Sequence, residues 1–370
     1  MTDPDDLLPE GLEDMLPARA GAVTAAMRAV LAAMDSHGYD RVRPPLLEFE
    51  RSLAGRMDGV ATRQMFRFVD PASLRTLALR SDITPQIGRI AATGMADAPR
   101  PLRLCYGGEV AVIRADQLDP ARQRLQLGAE LIGSDSAEAA SEIVVLAVEA
   151  LEAAGIEGIS VDFTLPDLVD RLAEGAMPLA RDARDAVRRE LDAKDAGGLK
   201  AIDGGAAYLP LLYAAGPFEE AVARLDAIDA SGVLDSRLDG LRHVASHLGD
   251  RARLTLDPSE RHGFEYQSWF GFTLYAGGAR GALGRGGTYR LTGSDETATG
   301  FSLYMEPMLE VLGTDAESDE TVFLPLGHDR AAASALREEG RRTVAQLAET
   351  DDPRRLGCTH SLDPDGLRPL

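Results

Sequence analysis

Two runs of period-two alternation, Leu102-Leu104-Tyr106 and Leu125-Leu127-Ala129-Leu131, stand on either side of a polar loop around residues 116–122. Alternation of this kind sends successive side chains to opposite faces of a strand, so both runs read as half-buried antiparallel strands. The segments 65–69 and 74–79 bracket the turn residues Asp70-Pro71-Ala72-Ser73 and read as a hairpin. Helical spacing appears from Pro17 through Ala22, Val23, Ala26, Met27, Val30, Leu31 and Met34 to Gly38. It recurs in a short segment with Ile83, Ile87 and Ile90, and again from Ser136 to Ala154 before Gly155. Strands with interspersed helices, lacking a steady one-to-one alternation, predict a mixed α+β domain over a doubly wound one.

Residues 166–250 change character. They are rich in Ala, Leu, Asp and Arg and are broken at Gly197-Gly198, Gly204-Gly205 and Gly216-Pro217, which predicts an inserted helical subdomain. Strand-like text resumes at 270–276, and the glycine-rich stretch 277–287 reads as tight turns between strands. After 300–312 comes an acidic linker at 314–320. The remainder predicts a strand over 321–326, a helix over 329–347 and a strand at 357–360. The expected organisation is one domain over 1–312 carrying the insertion and a short α/β appendage over 313–370.

The chain has 370 residues and a formal net charge of −21, which repels phosphate backbones and argues against nucleic acid as a partner. Cys105 and Cys358 are the only cysteines, too few for a disulfide framework, and a reducing compartment fits. The acidic start and the lack of a long apolar stretch predict a cytoplasmic chain without a membrane anchor.

Alternation along 125–132 puts Gln126, Gly128 and Glu130 on one strand face and Leu125, Leu127, Ala129 and Leu131 on the other. The polar face is either a solvated sheet surface or a pocket in which a carboxamide and a carboxylate, separated by the opening at a glycine, hold an ammonium group. Asp82 and Thr84 stand just before a helix, where Asp is also a routine N-cap. The glycines of 277–287 lack the lysine and the following helix of a phosphate loop. His243 and His247 have the i,i+4 spacing of metal ligands but no third ligand at a useful offset, and no nucleophile motif occurs. The residues point to no cofactor, no metal and no covalent catalysis.

Read in order, LLPEGLEDMLP (7–17), PPLLEFE (44–50), LALRSDIT (77–84), LQLGAELIG (125–133) and ATGFSLYMEPMLEVL (298–312) resemble the catalytic domain of histidyl-tRNA synthetase, a class II aminoacyl-tRNA synthetase. The resemblance implies a six-stranded antiparallel sheet flanked by helices. It also implies a histidine pocket lined by Asp82, Thr84, Gln126, Glu130, Tyr266 and Tyr289, with Asp82 in place of the usual Glu. Three positions where that family carries arginines hold Val112, His262 and Pro307 here, although Arg114 and Arg261 stand near two of them. Adenylation needs such permanently charged donors on the phosphates, and loss of one typically costs ~100- to 1,000-fold in rate. The segment 313–370 is also too short for the anticodon-binding domain of those synthetases, which argues against tRNA.

The catalytically silent branch with this outline is the family of ATP phosphoribosyltransferase regulatory subunits, and the chain resembles it. That resemblance implies no activity of its own and a partnership with the short-form catalytic subunit in a hetero-octamer. It implies histidine as effector, bound in the synthetase-like pocket or at the subunit boundary, and a homodimer through the synthetase-like domain. A divergent histidyl-tRNA synthetase or another amino-acid-adenylating relative, using Arg114 and Arg261 as displaced donors, is the alternative.

Overall fold

The computed structural model describes residues 7–54, 65–113, 121–175, 177–261, 267–291, 294–313 and 320–370. The elements run α1 (Pro17–Ser36), β1 (Asp40–Arg41), β2 (Leu47–Phe49), α2 (Glu50–Ala54), β3 (Arg67–Val69), β4 (Thr76–Leu79), α3 (Thr84–Ala92), β5 (Leu102–Ala111), β6 (Gln123–Ile132), α4 (Ala137–Ala153) and β7 (Ile159–Thr164). Then come α5 (Leu168–Glu174), α6 (Arg181–Asp192), α7 (Ala196–Ala201), a 3-10 helix (Gly205–Tyr213), β8 (Gly216–Pro217), α8 (Phe218–Ile228) and α9 (Asp235–Leu248). A short 3-10 turn (Gly249–Arg251) leads to β9 (Arg253–Leu256), β10 (Gln267–Ala276), β11 (Gly284–Arg290), β12 (Thr297–Tyr304) and α10 (Met305–Leu312). The chain closes with β13 (Thr321–Leu324), α11 (Arg330–Glu338), β14 (Arg342–Ala345), β15 (His360–Asp363) and β16 (Gly366–Pro369).

The main sheet has nine strands in the order β1-β5-β6-β12-β11-β10-β7-β9-β8. Its middle, β5-β6-β12-β11-β10-β7, is antiparallel at every step. This is the six-stranded antiparallel sheet implied by the resemblance, lengthened by β1 parallel to β5, by β9 parallel to β7 and by β8 antiparallel to β9. Both faces are covered. On one lies α3, whose Ile87 and Ala91, with Ile83 just before them, form an i, i+4, i+8 stripe that packs with Leu104, Tyr106, Val110 and Tyr289. On the other lie α4 and α10, and Leu31 of α1 comes near Gly107 of β5. Ser136 begins α4 by accepting the N–H of Ala139 in its side chain.

Coverage on both sides overturns one expectation. The strand β6 is not half-buried: Gln126 and Glu130 are each 1% exposed, as closed off as Leu127 and Ala129 on the opposite face. The solvated-surface reading of that face fails because α3 lies over it. A second correction concerns the glycine-rich stretch. Residues 277–283 do connect two strands, but Gly284, Gly286 and Gly287 belong to β11 itself. The short strands β7, β9 and β8, unread from the sequence, complete the sheet beyond β10.

By compactness the chain divides into one unit of Met1–Met15 with Val23–Gly313 and a second of Thr314–Leu370 with Leu16–Ala22. The second holds a four-stranded sheet, β14-β13-β15-β16, with a core of Val322, Leu324 and Ala333. The helix expected over 329–347 stops at Glu338. Gly340, at a φ of +84°, turns the chain, and Arg342–Ala345 pairs parallel to β13. The left-handed backbone at that glycine breaks helical geometry.

Candidate functional site

Residues opposite one another in antiparallel strands point to the same side of a sheet. Strand register therefore aligns Leu104, Glu130, Gly300, Gly287, Gly271 and Thr164 in one row across the central strands. The neighbouring row is Tyr106, Gly128, Ser302, Arg285, Thr273 and Asp162. Three successive strands thus contribute glycine beside Glu130, leaving a trench floored by backbone. A Cβ on Gly300 would overlap the Glu130 carboxylate, one on Gly287 would lie 2.8 Å from Gln267 Nε2, and one on Gly271 would lie 2.5 Å from Thr164 Oγ1.

The cavity over this trench is lined by Asp82, Thr84, Glu130, Gln267, Arg285 and Tyr289 together with Gly286, Gly287, Gly300, Phe301 and Ser302, and holds about 350 Å³ of non-protein space including its mouth. Glu130 accepts from the Tyr289 hydroxyl at 2.7 Å and from the Tyr106 hydroxyl at 3.2 Å. The Tyr106 oxygen also meets Thr84 Oγ1 at 3.1 Å and Ser302 Oγ at 3.0 Å. It reaches them because Gly128, beside it on β6, has no Cβ to fill that space. The opening expected at Gly128 is therefore occupied by a tyrosine hydroxyl, and the free floor lies one strand over, at Gly300 and Gly287.

Gln126 serves as a strut. Its Nε2 donates to Asp82 Oδ1 at 2.8 Å and to Ser302 Oγ at 2.7 Å, and its Oε1 accepts the backbone N–H of Ile83 at 3.0 Å. Asp82 Oδ1 also accepts the N–H of Thr84 at 2.9 Å. That bond is an Asx-type link just ahead of α3, whose N-cap position is Ile83 with no side-chain cap bond, so Asp82 is not the expected N-cap; the same carboxyl lines the cavity.

Burial pushes the Glu130 carboxyl up to about 8, with the Asp82 charge adding to the rise and the Tyr289 hydrogen bond opposing it. Tyr106 is held well above the ordinary phenol range, first by burial and then by Glu130 and Asp82. The site is thus rich in acceptors for a cation, with one permanent cation, Arg285, on its lining. Chemically it can take up an ammonium or imidazolium group against Glu130 and Asp82.

Residues 11–308 match the histidyl-tRNA synthetase family. The chain is 42% identical to the ATP phosphoribosyltransferase regulatory subunit of Paramagnetospirillum magneticum over 98% of this chain and 97% of that one. It is 40% identical to the regulatory subunit of Rhodospirillum centenum, over 96% and 94% of the two chains. The chain belongs to the family of ATP phosphoribosyltransferase regulatory subunits. Its fold matches the crystal structure of an ATP phosphoribosyltransferase regulatory subunit/histidyl-tRNA synthetase from Bacillus halodurans at a TM-score of 0.83 and 23% identity, covering 96% and 97% of the chains. Histidyl-tRNA synthetase from Nostoc follows at a TM-score of 0.76 and 14% identity, covering 97% and 91%. The regulatory-subunit family thus carries the class II synthetase fold, which accounts for the sheet and its cavity here.

Of the pocket residues expected from the sequence, Asp82, Thr84, Gln126, Glu130 and Tyr289 converge, with Gln126 behind the lining as their support. Tyr266 and His262 lie outside the described residues, as does Arg114. Val112 sits just past β5, its N–H donated to the Arg122 carbonyl. Pro307 falls in the first turn of α10, where its missing N–H costs no helix bond. Arg261 lines a separate small cavity with Arg188 and Leu191. The sequence reading missed Tyr106, Ser302, Arg285, Gln267 and the glycine floor. Their common signal is the register of β5, β6, β12, β11 and β10, which no single strand displays.

The i,i+4 histidines form no metal site with a neighbour. His247 Nδ1 lies 2.8 Å from the His243 carbonyl, and no group of three metal-ligating side chains occurs among the described residues. None of their helices is long and apolar enough to cross a membrane.

Proposed function

We propose that this regulatory subunit has no catalytic activity of its own, binds the short-form catalytic subunit of ATP phosphoribosyltransferase in a hetero-octamer, and carries feedback inhibition by histidine. The observation that supports this most is the polar cluster of buried Glu130, Tyr289 and Tyr106 with half-buried Asp82, in a chain that aligns along nearly its whole length with regulatory subunits. A cationic ligand would let Glu130 give up its proton and pair as a carboxylate. Histidine offers an ammonium group and an imidazole.

On this reading the synthetase fold has kept amino-acid recognition and lost adenylation, because Val112, His262 and Pro307 stand where phosphate-binding arginines are needed. Histidine would inhibit by binding the less active arrangement of the complex more tightly than the active one.

The test mixes the chain with a short-form catalytic subunit and measures phosphoribosyl-ATP formation with and without histidine. Stimulation by this chain, inhibition by histidine, and loss of that inhibition in Glu130→Ala and Gln126→Ala variants are expected. Inhibition unchanged in both variants would remove histidine from this cavity and leave the subunit boundary as its site. Histidine-dependent exchange of pyrophosphate into ATP by the isolated chain would instead establish adenylation.

A further inference from the structure

Arg285 has no role in any of the sequence patterns above, yet it lies on the lining of the trench. Its place follows from register. Arg285 stands opposite Ser302 on β12 and Thr273 on β10, in the row next to Glu130, Gly300 and Gly287. Period-two alternation along β11 puts Arg285 and Tyr289 on the same face, two residues either side of Gly287. Tyr289 bonds Glu130, and Arg285 lines the same cavity four residues earlier on the strand.

The lining then offers two carboxyl groups, Asp82 and Glu130, and one guanidinium, Arg285, beside a floor of backbone. Positive groups on a ligand can meet the carboxyl groups, and a carboxylate on the same ligand can meet the guanidinium. A zwitterion would match both. Guanidinium binds carboxylate through two parallel N–H donors, a geometry that an alcohol or ester cannot reproduce.

We infer that Arg285 is the specificity-determining residue of this site, receiving the free α-carboxylate of an amino-acid ligand whose cationic groups face Glu130 and Asp82. The inference rests on the proposed amino-acid reading of the cavity and deepens it: the ligand is an unesterified, unreduced α-amino acid. Glycine at 287 and 300 keeps the floor open beside these groups, so the ligand backbone can lie against the strands.

The test compares L-histidine with L-histidinol, which has an alcohol in place of the carboxylate, by calorimetric titration of the full chain and of Arg285→Ala and Arg285→Gln variants. Wild type is expected to prefer histidine over histidinol by ~10- to 100-fold, the range for charge-assisted hydrogen bonds. Either variant should erase most of that preference by weakening histidine while leaving histidinol within about threefold. Arg285→Gln, uncharged and of similar length, carries the comparison if the alanine variant does not fold. Equal weakening of both ligands, or an unchanged preference, overturns the role of Arg285 while leaving the cavity an amino-acid site. Wild-type chain that binds neither ligand, in isolation and with its catalytic partner, overturns this inference and the amino-acid reading together.

Discussion

Gly300 and Glu130 face each other across the β12–β6 pair so closely that a Cβ at position 300 would occupy the space of Glu130 Oε2. The carboxylate lies over that glycine while Tyr289 holds it from the next strand at 2.7 Å. No left-handed backbone is involved, so the requirement for glycine here is purely one of space. Gly300→Ala should expel the carboxylate from its bond to Tyr289 and lower histidine affinity at least ~10-fold, with a stability loss of about 1–3 kcal/mol from overpacking. Calorimetric titration and urea unfolding read the two effects. Wild-type affinity in that variant would show that Glu130 does not meet the ligand.

The Glu130 carboxyl gives a pH signature. Burial raises it from 4.5 in the open chain to about 8 in the fold. Between those values the folded protein holds a proton that the unfolded chain has released, so this group makes stability fall as pH rises, and its contribution is gone above about 8. Subtracting the unfolding profile of Glu130→Gln from that of wild type should leave a downward slope over this window, at most about 1.4 kcal/mol per pH unit. A flat difference would mean that Glu130 keeps an ordinary carboxylate environment.

The cysteines should be inert in the native state. Cys105 donates towards the Tyr39 carbonyl at 3.4 Å, and burial pushes its thiol up to about 11; burial also raises Cys358. Since the thiolate is the reactive form, a chromogenic disulfide reagent at pH 8 should label both slowly. Adding guanidinium should release two thiols per chain. Rapid labelling of the folded chain would show that β5 or the C-terminal unit opens readily.

Helix α9 approaches the sheet at Gly240, where a Cβ would lie 3.0 Å from the ring of Trp269. That indole, the only one in the chain, donates to the Asp135 carbonyl at 2.7 Å and is 7% exposed. Gly240→Val should cost about 1–3 kcal/mol and shift the tryptophan emission to the red as the ring is displaced. An unchanged spectrum and midpoint would mean that α9 can move away from the ring at no cost.

Residues close in sequence made much of this protein legible. The β3–β4 hairpin, α3 with its isoleucine stripe, α4 with its serine cap, the helix-rich middle segment and the alternation that gathers Gln126, Gly128 and Glu130 all depend on neighbours within a few positions. Local periodicity and capping act over that range, and the five ordered blocks carried the family. The helix expected through Leu347 failed on local grounds too, since Gly340 was a stop signal read too weakly.

Burial and register were decided only in three dimensions. Whether the Gln126–Glu130 face meets water or protein depends on α3, which comes from a part of the chain some forty residues earlier. The trench depends on Gly271, Gly287 and Gly300 falling opposite one another on three strands, and the charge balance depends on Arg285 landing beside them. A strand shifted by one residue would turn each of these groups to the other face. The sequence by itself determined which side chains are available, while the pairing of distant strands decided which of them share a cavity.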